Sequence, residues 1–115
     1  MKKIDRNLVY KILKQVPKGK VTTYKALATA AGNPKGARAV GAMMRSNPYA
    51  PHVPCHRVVY SNGGLGGFDG VRKLDQKVKI LREEGVIVKD GKIKDFREHY
   101  FEDFSLEKAE NETLP

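Results

Sequence analysis

The chain is poor in cysteine and in long apolar runs, and each scarcity narrows what it can be. A single thiol excludes an internal disulfide framework and a zinc site built from a cysteine cluster, and it suits a reducing compartment. No stretch approaches the ~20 apolar residues of a bilayer span, and the N-terminus lacks a signal-peptide core. The expectation is a soluble, intracellular protein. Acidic residues are also scarce in the first half. Residues 1–60 carry twelve Lys or Arg against one acid, Asp5, whereas residues 61–115 carry ten basic and twelve acidic residues. The formal charge of +9 is therefore concentrated in one half. That fits an oriented polyanion-binding face whose affinity falls with salt; a solubilising lysine-rich surface is the competing explanation. At 115 residues, one domain with a modest core is expected.

Hydrophobic spacing organises the rest. Ile4, Leu8, Val9, Ile12, Leu13 and Val16 predict an amphipathic helix over 4–16, ended by Pro17 and Gly19. Thr22 or Thr23 caps a second helix, Tyr24 to Ala31, which Gly32 closes. Asn33-Pro34 reads as an N-cap with proline at the first helical position, opening a small-residue-rich helix over 35–46. Two short helices joined by Gly-Asn-Pro form a helix-turn-helix signature. Asn47-Pro48 stops the third helix, Pro51 and Pro54 keep the next segment extended, and Val58-Val59-Tyr60 suits a short strand. After a glycine-rich loop, Val71, Leu74, Val78 and Leu81 mark a fourth helix ending at Gly85. Asp90-Gly91 between apolar residues signals a hairpin. The last dozen residues are acidic and read as a frayed or docked tail.

The lone thiol sits in Pro54-Cys55-His56-Arg57-Val58. The thiolate is the reactive form of cysteine, and basic or cationic neighbours lower a free thiol pKa of ~8.5. A base able to take the proton makes such a cysteine a nucleophile; a buried, space-filling cysteine is the bland reading. On the third helix, Arg38 is a long probe among alanines and glycines, with Lys35 and Arg45 near the same surface as candidate phosphate contacts. A helix of small residues bearing one arginine suits minor-groove or shape binding better than base-edge readout. Close helix packing with a solvated Arg38 is the plainer alternative.

Val21-Thr22-Thr23-Tyr24, Ala31-Gly32-Asn33-Pro34, Arg38-Ala39-Val40-Gly41, Met44-Arg45-Ser46-Asn47-Pro48 and Pro54-Cys55-His56-Arg57-Val58-Val59 occur in that order. Together they resemble the active-site domain of the O6-alkylguanine-DNA alkyltransferases, from about Leu8 to Gly85. The resemblance implies a mainly α, winged-helix-like single domain with small β elements and a helix-turn-helix, over residues 1–88, followed by a C-terminal extension, 89–115, of a hairpin and acidic tail. It implies minor-groove binding, with the damaged nucleotide flipped out because its O6 carbon cannot be reached inside the stack. Arg38 would fill the vacated space and Tyr24 would disturb the adjacent phosphate. Cys55 would accept the alkyl group, His56 would take the thiol proton through a water, Glu84 would orient His56, and Asn47 would fix the turn beneath. Phe68, Asp69 and Val58 would surround the base.

Two departures from the family pattern bear on chemistry. Phe68 stands where the family has a tyrosine that assists the leaving base, and a phenyl ring cannot donate a hydrogen bond. Asp69 stands where a small residue is common, and could instead cap the fourth helix. The stretch from Gly70 to Glu84 is two residues longer than the pattern. Many members carry an N-terminal domain, sometimes with zinc; this chain has no Cys/His set for that metal. The stretch 86–115 is expected to cover core surface that such a domain would shield.

The leading expectation is a single-turnover repair protein, monomeric and cofactor-free, acting on double-stranded DNA containing O6-alkylguanine, in the cytoplasm or wherever the DNA lies. The alternative is a sensor from a sister group that binds alkylated guanine without transfer. Those proteins typically have tryptophan or another residue at the cysteine position, so Cys55 argues against this reading. A winged-helix regulator with an inert cysteine finds no dimer helix or effector pocket in the sequence.

Overall fold

The first helix, α1 (Arg6–Leu13), starts where Asp5 can cap it: its carboxylate accepts from the backbone of Asn7 at 3.0 Å and Leu8 at 3.3 Å. Val9, Tyr10, Ile12 and Leu13 form its buried face. The helix is shorter than the expected 4–16, because Gln15 and Val16 bond back to Ile12 and Leu13 in a tightened last turn before Pro17. The computed structural model describes residues 4–65 and 70–115, with residues 70–73 described only as part of a helix.

Strand β1 (Thr22–Thr23) leads directly into α2 (Tyr24–Ala30), and the Thr23 hydroxyl caps that helix through Ala26 N at 3.0 Å. Gly32 at φ +89° ends it; Gly32 N bonds Thr29 O and Asn33 N bonds Ala28 O, the paired closure of a left-handed C-terminus. This explains a correction. Asn33 does not cap the next helix, because its backbone is used to close α2. A turn from Asn33 to Gly36 intervenes, and α3 runs Ala37–Arg45, with Gly36 at its N-cap and no side-chain cap. The helices α2 and α3 form the expected helix-turn-helix, tied to α1 by the buried Tyr10 hydroxyl donating to Met43 O at 2.8 Å.

A 3-10 turn (Cys55–Arg57) then runs into β2 (Val58–Val59). β2 pairs in parallel with β1, Thr22 opposite Val58 and Thr23 opposite Val59. Helix α4 spans Gly70–Glu83. The hairpin of β3 (Val88–Lys89) and β4 (Lys92–Ile93) has both turn residues at positive φ, Asp90 at 53° and Gly91 at 76°, as an Asp-Gly turn requires. A short helix α5 (Phe96–His99), which apolar spacing did not reveal, precedes α6 (Leu106–Glu110).

The tail is docked, not frayed. Ala109 is fully buried against α1, Gln15 exchanges two hydrogen bonds with the Ser105 backbone, and Lys14 Nζ reaches Glu112 and the Thr113 carbonyl, both at 2.9 Å. An acidic tail thus lies on basic α1. The main core joins α1, α2, α3 and α6; a smaller one joins Val21, Val59, Leu65, Leu81, Val86 and Ile93. The Cα radius of gyration, 13.1 Å, is that of a single compact unit of this length. The architecture is mainly α with short strands. No helix among the described residues is long and apolar enough to cross a membrane.

Candidate functional site

Cys55 is half-buried at the start of its 3-10 turn, after Pro54, which turns the chain at φ −81° and ψ 70°. The turn is tied from below. The Val53 carbonyl accepts from Cys55 N at 2.8 Å and from Asn47 Nδ2 at 2.8 Å, while Asn47 Oδ1 accepts from Tyr49 N at 2.9 Å. Asn47 therefore spans the loop leading to the thiol.

The three expected groups Cys55, His56 and Glu84 lie in one neighbourhood. His56 is buried, with Nε2 3.1 Å from Glu84 Oε1. Arg57 grips the same carboxylate with Nε at 3.0 Å and with Nη2, and anchors itself by donating Nη1 to the Val16 carbonyl at 2.9 Å. Burial would raise the Glu84 pKa, but the hydrogen bonds of Arg57 and His56 outweigh it and hold the carboxyl below its usual range. Burial lowers the His56 pKa, against the opposing pull of Glu84. The imidazole is therefore neutral at pH 7. With Nε2–H donated to the carboxylate, Nδ1 is left as an acceptor.

Sequence reasoning missed two members of this group. Arg57 appeared only as part of the cysteine box. Lys77, on α4, is 7 % exposed and donates Nζ to the Val58 carbonyl at 2.6 Å. Burial pushes its pKa down to about 8, opposed by the charge of Cys55. The signal was legible: Lys77 interrupts the apolar stripe Leu74, Val78 and Leu81 at helical spacing. Val58 itself is wholly in the core, so what it offers the site is its carbonyl. Phe68 and Asp69, expected beside the base, lie outside the described residues. Among the described residues no cluster of His, Cys, Asp and Glu could hold a metal ion.

The basic face lies on the helix-turn-helix. Tyr24, Lys25, Arg38, Gly41, Arg45 and Tyr60 line a cleft of about 380 Å³. Arg38 is exposed on α3, and the Arg45 guanidinium folds back over Gly41, where a β-carbon would come within 3.7 Å of it. Lys35 is exposed in the turn before α3 and does not line this cleft; nor does Cys55. The connection between the two regions is Tyr24. Its buried ring lies 5.2 Å from that of Tyr60, between centroids, and 5.9 Å from Lys77 Nζ.

The family model described as "6-O-methylguanine DNA methyltransferase, DNA binding domain" matches residues 6–86. The chain is 49% identical over 80 residues to the human methylated-DNA–protein-cysteine methyltransferase, covering 70% of this chain and 38% of that protein. It is 39% identical over 105 residues to a bifunctional methyltransferase/endonuclease of Picrophilus torridus, covering 90% and 34%. It thus spans between a third and two-fifths of these curated relatives. Among solved structures, S. pombe Atl1 in complex with damaged DNA containing O6-carboxymethylguanine superposes with a TM-score of 0.77 at 32% identity, covering 88% of this chain and 98% of Atl1. Mycobacterium tuberculosis OGT in complex with DNA gives 0.64 at 36% identity, covering 73% and 51%. The matched span and these identities place the chain in the 6-O-methylguanine DNA methyltransferase family, through that family's DNA-binding domain.

Proposed function

We propose that this domain carries the alkyl acceptor as well as the DNA-binding face, and that it repairs O6-alkylguanine by moving the alkyl group onto Cys55. The observation that carries this reading is the group around the thiol: a half-buried cysteine on a turn fixed by Asn47, next to a neutral histidine whose far nitrogen is held by an ionised glutamate. That is nucleophile, base and orienter.

The Cys55 proton passes through a water to His56 Nδ1, and Glu84 stabilises the imidazolium that forms. The thiolate attacks the alkyl carbon; the C–S bond forms as the C–O6 bond breaks. The electron pair stays on guanine O6, and the base leaves as guanine after taking a proton from water. Lys77 lies close enough to Cys55 for the two charges to interact. The thioether is permanent, so each molecule turns over once. The basic cleft on α2 and α3 would engage the duplex, with Arg38 entering where the nucleotide leaves and Tyr24 at the adjacent phosphate. The reaction needs no cofactor and takes place wherever the DNA is.

The overlap with Atl1 along nearly all of that protein favours a second reading, lesion binding without transfer. One experiment separates the two: incubation with a duplex containing O6-methylguanine, then mass measurement of the tryptic peptide Ser46–Arg57. A gain of one methylene group on Cys55 supports repair. Lesion-selective binding with an unchanged peptide mass supports sensing and rejects transfer.

A further inference from the structure

Tyr60 stands out on the basic face. The residue is 45 % exposed, yet its backbone is tied by hydrogen bonds. Tyr60 N donates to Gly64 O at 2.9 Å, and Gly63 N donates back to Tyr60 O at 2.8 Å. Asn62 Oδ1 accepts from Gly64 N at 2.8 Å. The hairpin holds this turn from behind, with Leu65 N bonded to Gly91 O and Ile93 N bonded to Gly63 O. Gly63 is needed there: at φ +82° it turns the chain, and a β-carbon would press on the Phe96 ring at 3.3 Å. The tyrosine is therefore presented on a preorganised support, so using it costs little further ordering.

Its surroundings define the ligand. Tyr60 shares its cleft with Arg38, Arg45 and Lys25, and packs at 51° against Tyr24. An open aromatic ring among cations is the composition of a subsite that stacks single nucleobases while the charges hold the phosphates. In an intact duplex every base is stacked on both faces and offers no free π surface. A base that has lost its partner does.

We propose that Tyr60 is a stacking residue for a nucleobase displaced from the duplex, and that it gives this DNA face a preference for duplexes containing an unpaired base. The proposal rests on the DNA-binding reading above but not on alkyl transfer. Base–aromatic stacking of this kind is worth about tenfold in affinity.

The test uses fluorescence anisotropy with two end-labelled duplexes of the same sequence, one fully paired and one with a single base opposite an abasic site. The wild-type protein should favour the second about tenfold. Tyr60→Phe should keep the preference. Tyr60→Leu, which retains bulk against Tyr24 but has no ring, should lose it while paired-duplex affinity changes by less than about twofold. If Tyr60→Leu keeps the preference, or loses affinity equally for both duplexes, Tyr60 is not a stacking residue. Wild-type protein that binds neither duplex overturns this proposal together with the DNA-binding reading. Binding with no methylation of Cys55 rejects transfer alone, and the comparison of the two duplexes still decides the role of Tyr60.

Discussion

Lys77 Nζ donates to the Val58 carbonyl at 2.6 Å, which joins α4 to the strand leaving the cysteine turn through a nearly buried cation. Its pKa of about 8 lies below the ordinary 10.5. Between those values the unfolded chain binds more protons than the folded one, so stability rises with pH across that window. The full gain approaches about 3 kcal/mol as an upper figure. Urea denaturation at pH 7.5 and pH 10 in a Cys55→Ser background should show the rise. Adding Lys77→Met should flatten it.

Glu84 behaves in the opposite sense. Its folded pKa is depressed, so its contribution is complete above the unfolded value near 4.5 and is lost as pH falls through the folded one. Glu84→Gln should reduce acid sensitivity in that range. At pH 7 it should destabilise the fold by about 3 kcal/mol, because Arg57 loses its buried charged partner. Transfer to Cys55, followed by quenched single-turnover kinetics, should slow at least ~tenfold as His56 loses the group that sets its tautomer.

Asn47→Ala removes the bond to the Val53 carbonyl beneath Cys55. The expected outcome is a loss of about 1 kcal/mol in thermal or urea unfolding, with slower transfer and unchanged DNA affinity. A fall in DNA affinity of the same size as the fall in rate would contradict a positioning role.

Cys55→Ser should abolish transfer yet bind lesion-bearing duplex nearly as well as wild type. Arg38→Ala should weaken lesion-duplex binding more than undamaged-duplex binding. An equal loss for both in the same anisotropy assay would reduce Arg38 to a phosphate contact.

The Thr22 hydroxyl is buried without a hydrogen-bond partner among the described residues. Valine keeps the shape and the strand preference while removing the unsatisfied group. Thr22→Val should raise stability by about 1 kcal/mol, read as a shifted urea midpoint with unchanged slope.

Local signals in the sequence located most of the elements, because each had a nearby cause: Thr23 as a cap, Gly32 and Gly85 as stops, Asp90-Gly91 as a turn; the cap at Asp5 went unread. What it concealed was long-range. Nothing in Thr22-Thr23 announces a parallel partner at Val58-Val59, since pairing across that separation depends on the whole fold. Asn33-Pro34 looked like a helix start because the same residue types also end helices. Cys55, His56 and Glu84 were legible through a motif, and Lys77 only as a break in an apolar stripe; Tyr60 was not, because exposure is a property of packing.

The short parallel pair has a mechanical consequence. β1 flows into the helix-turn-helix, and β2 flows out of the cysteine turn. On the other flank of β1, Val21 exchanges backbone bonds with His99 and Phe101. This seam gears the helix-turn-helix to the cysteine turn: neither can shift without dragging the other. In the proposed function, lesion search and chemistry would share one rigid tool, and amide exchange along residues 21–23 and 58–59 should open as a single cooperative unit.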